Sequence, residues 1–226
     1  YRSDILNEPA EKMPAVESFN MQDLPKIGSM SKVFTLKKGI RIFHGAHKTR
    51  AEEIKVGGKK LAARPKDKSG GGDLLEGNLI WFGDEDLATR HSKSEIDRGQ
   101  VEYDKKYGII REPGEVFSTV TDKDYKLIDQ FNYQLSEKEA NILNEVLGLP
   151  DYKKVSKGDD FRSAAYRAHV YGRSKVDRFT IGRAGEFSDG LARSLKALGY
   201  DGLFAESGIS LVANKEIVLG MNGEAM

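Results

Sequence analysis

Three separated stretches of the chain hold the side chains best suited to chemistry. They are Ile40-Arg-Ile-Phe-His-Gly45, Leu79-Ile-Trp-Phe-Gly-Asp84 followed by Ala88 and His91, and Tyr200-Asp-Gly202 running on to Lys215-Glu-Ile-Val-Leu219. The His44 imidazole can donate or accept a hydrogen bond, and Gly45 permits close approach to the main chain. Trp81 and His91 offer flat π faces, and Glu216 supplies a carboxylate able to stabilise a developing positive charge. Taken singly, each has a plainer reading. A His-Gly pair at a strand end arises often by chance, and the single tryptophan suits a core. His91 suits an exposed helix face, and Glu216 a solvated strand. Other schemes find less support. No phosphate-binding Gly-x-x-x-x-Gly-Lys-Ser/Thr loop, His-Glu-x-x-His helix, Gly-x-Ser-x-Gly elbow or Rossmann fingerprint is present. Of four histidines only His44 and His47 stand near each other, so no metal site is identified. Acidic residues are abundant, but no spacing selects a hydrolytic pair.

Together the three stretches resemble the ADP-ribosyltransferase superfamily, in its diphtheria-toxin and poly(ADP-ribose) polymerase branch. There a His-Gly pair ends the first core strand, and an aromatic strand enters a helix carrying a second aromatic residue. A late strand then places an acidic residue before two or three aliphatic ones, here Ile217, Val218 and Leu219. The resemblance implies an α+β fold with a core of two packed, mainly antiparallel sheets and flanking helices, and it implies NAD as co-substrate. By it, His44 holds the adenosine ribose hydroxyls and the Gly45 main chain pairs with the nicotinamide carboxamide. Trp81 and His91 stack on the nicotinamide ring, with Phe82 counted among the NAD-binding residues. Glu216 is the catalytic residue, bonded to the ribose 2′-hydroxyl and stabilising the cationic ribose as nicotinamide departs.

The sequence departs from that pattern in places. Trp81 stands where the branch often has a tyrosine, and His91, or alternatively Ser92, stands near its second tyrosine. A shift of one residue in the late strand puts Lys215 at the site, and a lysine there implies an inactive binding module. The arginine-modifying branch has Glu-x-Glu on that strand and an arginine on the first; here Asn214 takes the corresponding position, so arginine is a less favoured acceptor. Phe117-Ser118-Thr119 is similar to that branch's Ser-Thr-Ser strand but reads as ordinary β-propensity.

The implied activity is mono-ADP-ribosyl transfer from NAD to a side chain of a target protein, a pentosyl glycosyltransferase reaction. The alternatives are an NAD glycohydrolase on the same site or an inactive NAD- or protein-binding module. The resemblance further implies a bacterial toxin or secreted virulence effector, delivered into a host cell or otherwise cytoplasmic, with a chaperone or secretion factor able to use the N-terminal arm.

The elements that must position these residues follow from pattern. Pro9, Pro14 and Pro25 among scattered charges mark residues 1–30 as an arm or linker, and the folded domain is expected over 31–226. β-type runs flank a Lys37-Lys38-Gly39 turn, with a strand over Gly39 to His44 closed by Gly45. Thr49 is the expected N-cap of a short helix to Ile54. The Gly- and Lys-rich stretch from Gly57 to Gly77 reads as a long loop, in which Lys59, Lys60, Arg64, Lys66 and Lys68 either attract a pyrophosphate or belong to a flexible insertion. A strand over Asn78 to Gly83 runs into a helix with acidic residues at its start. Residues from about 99 to 180 form a variable helical insertion, either target-recognising or scaffold. In it Val116 to Val120 is a strand, and Ser136 with Glu139 makes a capping box for a helix that Gly148 and Pro150 end. Helices over Phe161 to His169 and Phe187 to Leu198 precede short strands to the end.

Bulk composition is permissive. A chain of 226 residues buries a core unaided, and a charge of +1 with dispersed Lys and Arg argues against nucleic acid. The absence of cysteine excludes disulfides, thiolate metal sites and cysteine nucleophiles. No apolar run approaches the roughly 20 residues of a membrane span, so no membrane partner is expected. The sequence opens at Tyr1, which leaves room for upstream residues and any address signal among them.

Overall fold

Thr121 sits where two chain reversals meet, and it decides the topology. Its hydroxyl accepts from the Ile40 amide at 2.9 Å and donates to the Lys37 carbonyl at 2.7 Å. Its amide donates to Ile40 at 2.9 Å, and its carbonyl accepts from Gly39 at 2.9 Å. Gly39 has φ +85°, a conformation glycine adopts without strain. The strands on either side of the Lys37 to Gly39 turn therefore do not pair with each other. β1 (Val33–Leu36) pairs with β6 (Tyr125–Asp129), and β2 (Arg41–Ala46) pairs with β5 (Glu115–Val120), both antiparallel.

The computed structural model describes residues 16–26, 32–58, 60–61, 79–93, 102, 105–108, 112–171, 184–212, 217–218 and 220–221. The remaining strands are β3 (Lys60–Leu61), β4 (Leu79–Phe82), β7 (Gly202–Ala205), β8 (Gly208–Val212), β9 (Ile217–Val218) and β10 (Gly220–Met221). The principal helices are α1 (Lys48–Val56), α2 (Glu85–Ser92), α3 (Glu137–Leu147), α4 (Phe161–Tyr171) and α5 (Ala184–Leu198). Five strands form one sheet in the order β1-β6-β7-β8-β4, three form a second in the order β10-β5-β2, and β3 pairs with β9. Among the paired named strands only β6 and β7 are parallel, their crossover carrying α3, α4 and α5. The protein is thus mixed α and β with mainly antiparallel sheets.

Alternation along the five-stranded sheet sends successive side chains to opposite faces. Leu79, Ile128, Leu203 and Val212 pack beneath the helices with Leu143, Phe161 and Leu195. Ile80, Leu127, Phe204 and Leu211 pack on the other side with Ile42 and Phe117 of the second sheet. Both faces are buried, which is why every residue of β8 is buried, Ser210 among them.

The capping box predicted at Ser136 and Glu139 is present, and Gly148 closes α3 in the left-handed conformation. Helix α1 corrects the expectation at Thr49: His47 is its N-cap, without a side-chain cap bond, and Thr49 lies inside the first turn. Strand β2 runs past Gly45 to Ala46. The arm expected over residues 1–30 is also corrected in part. Residues 16–26 lie against the second core, with Phe19 and Leu24 buried, and the Glu17 and Phe19 backbones pair with Arg41 at 2.8 Å each. Proline-rich composition did not register two apolar anchors six positions or fewer apart. Among the described residues no helix is long and apolar enough to cross a membrane.

Candidate functional site

The corner where the two sheets meet contains most of the residues singled out by sequence. Gly83, directly after β4, exchanges main-chain hydrogen bonds with Phe43 of β2, at 2.8 and 3.1 Å. Asp84 then caps α2: one carboxylate oxygen accepts from Leu87 N at 2.9 Å, and the other accepts from Met21 N of the docked N-terminal segment at 3.2 Å. The short link between β4 and α2 fixes the helix against β2.

That packing explains Gly45. A Cβ added there would lie 2.0 Å from the Ala88 carbonyl oxygen and 2.8 Å from His91 Cβ. The expectation that glycine is needed for close approach of a ligand ring is therefore corrected, since helix α2 occupies that direction. The main chain of Gly45 points elsewhere. Along β2, Arg41 and Phe43 direct their amides and carbonyls away from β5, to Glu17, Phe19 and Gly83. The two-residue period of an antiparallel ladder aims the Gly45 amide and carbonyl the same way, one step beyond the Phe43–Gly83 pair.

His44 and Trp81 are held by main-chain oxygens. His44 Nδ1 lies 2.8 Å from the Trp81 carbonyl. A carbonyl only accepts, so Nδ1 carries the proton and Nε2 of the neutral ring is an acceptor. Trp81 Nε1 donates to the Ser207 carbonyl at 2.7 Å, and its ring lies 4.5 Å from that of His91 at a 43° tilt. The Ser207-Gly208 turn needs its glycine: φ is +123°, and a Cβ would stand 2.5 Å from Phe82 O and 2.6 Å from Trp81 Nε1. His44, Gly45, Trp81 and His91 are thus together. Phe82 is not a ligand contact, because its side chain is fully buried and packs edge-on against His44 at 5.9 Å. A core position and a site position differ by one residue on a strand, and the pattern of apolar residues around 79–82 does not separate them.

Glu216, with Asn214 and Lys215, lies outside the described residues, as do Arg64, Lys66 and Lys68. Ile217 and Val218 form β9 and pair with Leu61 and Lys60. Met221 on β10 pairs with Phe117, which pairs with His44, so the chain soon after Glu216 returns to the His44 sheet. Sequence reasoning missed the Ser207 carbonyl as the anchor of Trp81; a Ser-Gly turn was readable, its partner was not. Among the described residues no group of three or more metal-ligating side chains is gathered.

A second polar cluster lies on the helical side. The Glu139 carboxylate accepts from Tyr133 OH at 2.6 Å and Tyr200 OH at 3.0 Å through Oε1, and from Ser136 N and Oγ at 2.8 and 2.7 Å through Oε2. Burial alone raises the Glu139 carboxyl, but these hydrogen bonds outweigh it and hold the group below its usual value. Burial, then the hydrogen bond to Glu139, pushes the Tyr133 hydroxyl well above its usual range. Tyr200 is also raised, again with burial as the first cause. The cluster ties the start of α3 to the link between α5 and β7.

No protein-family model matches the chain, and no curated protein or solved structure matches it either.

Proposed function

We propose that this protein is a mono-ADP-ribosyltransferase that moves ADP-ribose from NAD to a side chain of a target protein. The observation that carries the reading is the joint placement of His44, Gly45, Trp81 and His91 at one corner between two sheets. These groups suit the dinucleotide in kind. A neutral imidazole with Nε2 as acceptor can take a hydrogen bond from a ribose hydroxyl. The amide and carbonyl of Gly45, turned away from β5, match the two halves of a carboxamide. The indole and imidazole faces at the corner give an aromatic ring something to lie against.

Glu216 is the proposed catalytic residue. Cleaving the bond between nicotinamide and ribose leaves the sugar electron-poor, and a fixed carboxylate near its 2′-hydroxyl lowers the energy of that state more than that of bound NAD. The role of the protein is to orient the sugar and exclude water until an acceptor side chain arrives. Where water arrives first, the same site is an NAD glycohydrolase. A toxin or secreted effector is the biological setting that a protein-directed transferase of this kind suits.

The test is incubation with labelled NAD and a cell lysate, comparing wild type with Glu216→Ala. Labelled protein that disappears in the variant supports the transferase. Loss of NAD without labelled protein supports the glycohydrolase. Intact NAD with wild type refutes both and leaves a binding module.

A further inference from the structure

Among the described residues five Phe or Tyr side chains are exposed, and four of them, Phe131, Tyr152, Tyr166 and Tyr171, lie on α4 or against its residues. Helical periodicity sets Arg162, Ser163 and Tyr166 on the side of α4 opposite Phe161, Ala164 and Ala165, which are buried in the helical core. Arg162 lies over the Phe131 ring, its guanidinium 5.2 Å from the centroid. Tyr171, at the other end of α4, meets Tyr152 edge-on at 6.4 Å. The Lys153 ammonium is 4.5 Å from the Tyr171 centroid and 5.7 Å from that of Tyr152. Each end of α4 thus carries an exposed ring with a cation over it, and the exposed Tyr166 stands in the middle turn.

Exposed aromatic side chains gathered on one helix are a feature of binding surfaces, whose buried centres are enriched in Tyr, Phe and Arg. Rings held by neighbouring cations also lose less freedom when a partner covers them. Charge indicates which partner. Residues 150–171 hold five Lys or Arg against three Asp, and all three carboxylates are engaged. Asp151 pairs with Lys154 at 2.7 Å, Asp159 pairs with Arg167 at 2.8 Å, and Asp160 accepts from the Ser163 amide at 2.8 Å. Asp129, next in the chain to the loop that carries Phe131, is buried and accepts from the amides of Phe131 and Asn132. Lys153 and Arg162, by contrast, are paired with rings and with no carboxylate among the described residues. Both keep donors for an incoming carboxylate, and a charge-assisted hydrogen bond is the strongest contact either can make.

We infer that this face of α4 docks an acidic segment of a partner protein, its carboxylates pairing with Lys153 and Arg162 and its apolar side chains covering Phe131, Tyr152 and Tyr166. Identifying that partner as the ADP-ribose acceptor rests on the transferase reading; the docking itself does not.

The experiment is selection of a random dodecapeptide phage library on the intact protein. Synthetic versions of the selected sequences are then titrated, at low and high salt, against wild type, Tyr152→Ala and the double variant Lys153→Glu/Arg162→Glu. The expected result is enrichment of Asp and Glu together with apolar residues over the input library. Affinity should fall about tenfold or more in the double variant, weaken with salt in wild type, and return in the double variant when the peptide carboxylates are replaced by lysine. Tyr152 is 76% exposed, so Tyr152→Ala should keep the wild-type unfolding midpoint while losing affinity severalfold, and it decides the matter should the double variant fail to fold. Absence of enrichment, enriched peptides without acidic residues, or peptides that bind both variants as well as wild type overturn the inference. Tighter binding of a single-stranded oligothymidylate that is lost in the same variants overturns it too, giving the face to nucleic acid. Concentration-dependent dimerisation that is lost in Tyr152→Ala gives the face to a second copy of the chain and has the same consequence. Peptide selection needs no NAD turnover, so a protein that selects such peptides yet leaves NAD intact refutes the transferase and spares the docking face. NAD turnover without selected peptides does the reverse.

Discussion

The Glu139 cluster and the His44 corner solve the same problem, polar groups at the margin of an apolar core, in opposite ways. Around Glu139 all partners but one are side chains, and five groups close on one another: two tyrosine hydroxyls, the Ser136 hydroxyl, the Ser136 amide and the carboxylate. Around His44 the partners are main-chain carbonyls, those of Trp81 and Ser207, and the rings pack on one another, Trp81 against His91 and His44 edge-on to Phe82. The edge of β2 is paired as far as Phe43, and at Gly45 the same two-residue period turns the amide and carbonyl away from β5. A closed network fastens helices together, whereas at the corner the main chain fixes the side chains. The comparison separates a network that holds helices together from the corner on which the proposed site rests.

The largest effect that separates them is expected from core truncation. Leu143→Ala, at a fully buried position under the helices, should cost about 2–5 kcal/mol in denaturant unfolding while leaving the KM for NAD of the remaining folded protein unchanged. A changed KM would show that the two regions are coupled. Gly45→Ala comes next. The added methyl must displace α2, costing about 1–3 kcal/mol, and here NAD consumption should fall together with stability because His91 rides on the same helix.

The third test uses pH. The Glu139 carboxyl sits below its usual 4.5 when folded, so its contribution is present above that value and is lost as pH falls through the lower folded value. Tyr133 is raised above its usual 10.0, so its contribution is present below that value and is lost as pH rises further. The unfolding midpoint of Glu139→Gln should therefore lie below that of wild type at neutral pH, and the gap should narrow in acid. A gap that does not change with pH would mean that the charge on Glu139 contributes nothing. The smallest effect is expected from Trp81→Phe, which removes the donor to Ser207 and should cost about 0.5–1.5 kcal/mol, with a larger relative loss in NAD affinity than in stability.

Local signals in the sequence translated into structure where one short-range interaction settles the matter. The capping box at Ser136, the stop at Gly148 and the acidic entry to α2 are of this kind, each complete within four residues. Non-local pairing was not legible. Nothing in Lys37-Lys38-Gly39 tells a hairpin from a turn that sends its flanks into different sheets, because Thr121, some 80 residues on, makes that choice. The docking of Phe19 and Leu24 depends likewise on the edge of β2 and on Asp84. At the corner, the grouping of His44, Gly45, Trp81 and His91 was expected from the family resemblance and not from any local pattern. The burial of Phe82 was not, since adjacent strand residues share one apolar pattern and differ only in which face meets the core.

Trp81 is the only tryptophan in the chain, so its emission reports the corner without interference. Titrating NAD into wild type and His44→Ala while following that emission is the most direct test of the central claim. A saturable change in wild type that is lost or strongly weakened in the variant is the predicted result. No change in wild type, or the same change in both proteins, would contradict the assignment of this corner to NAD.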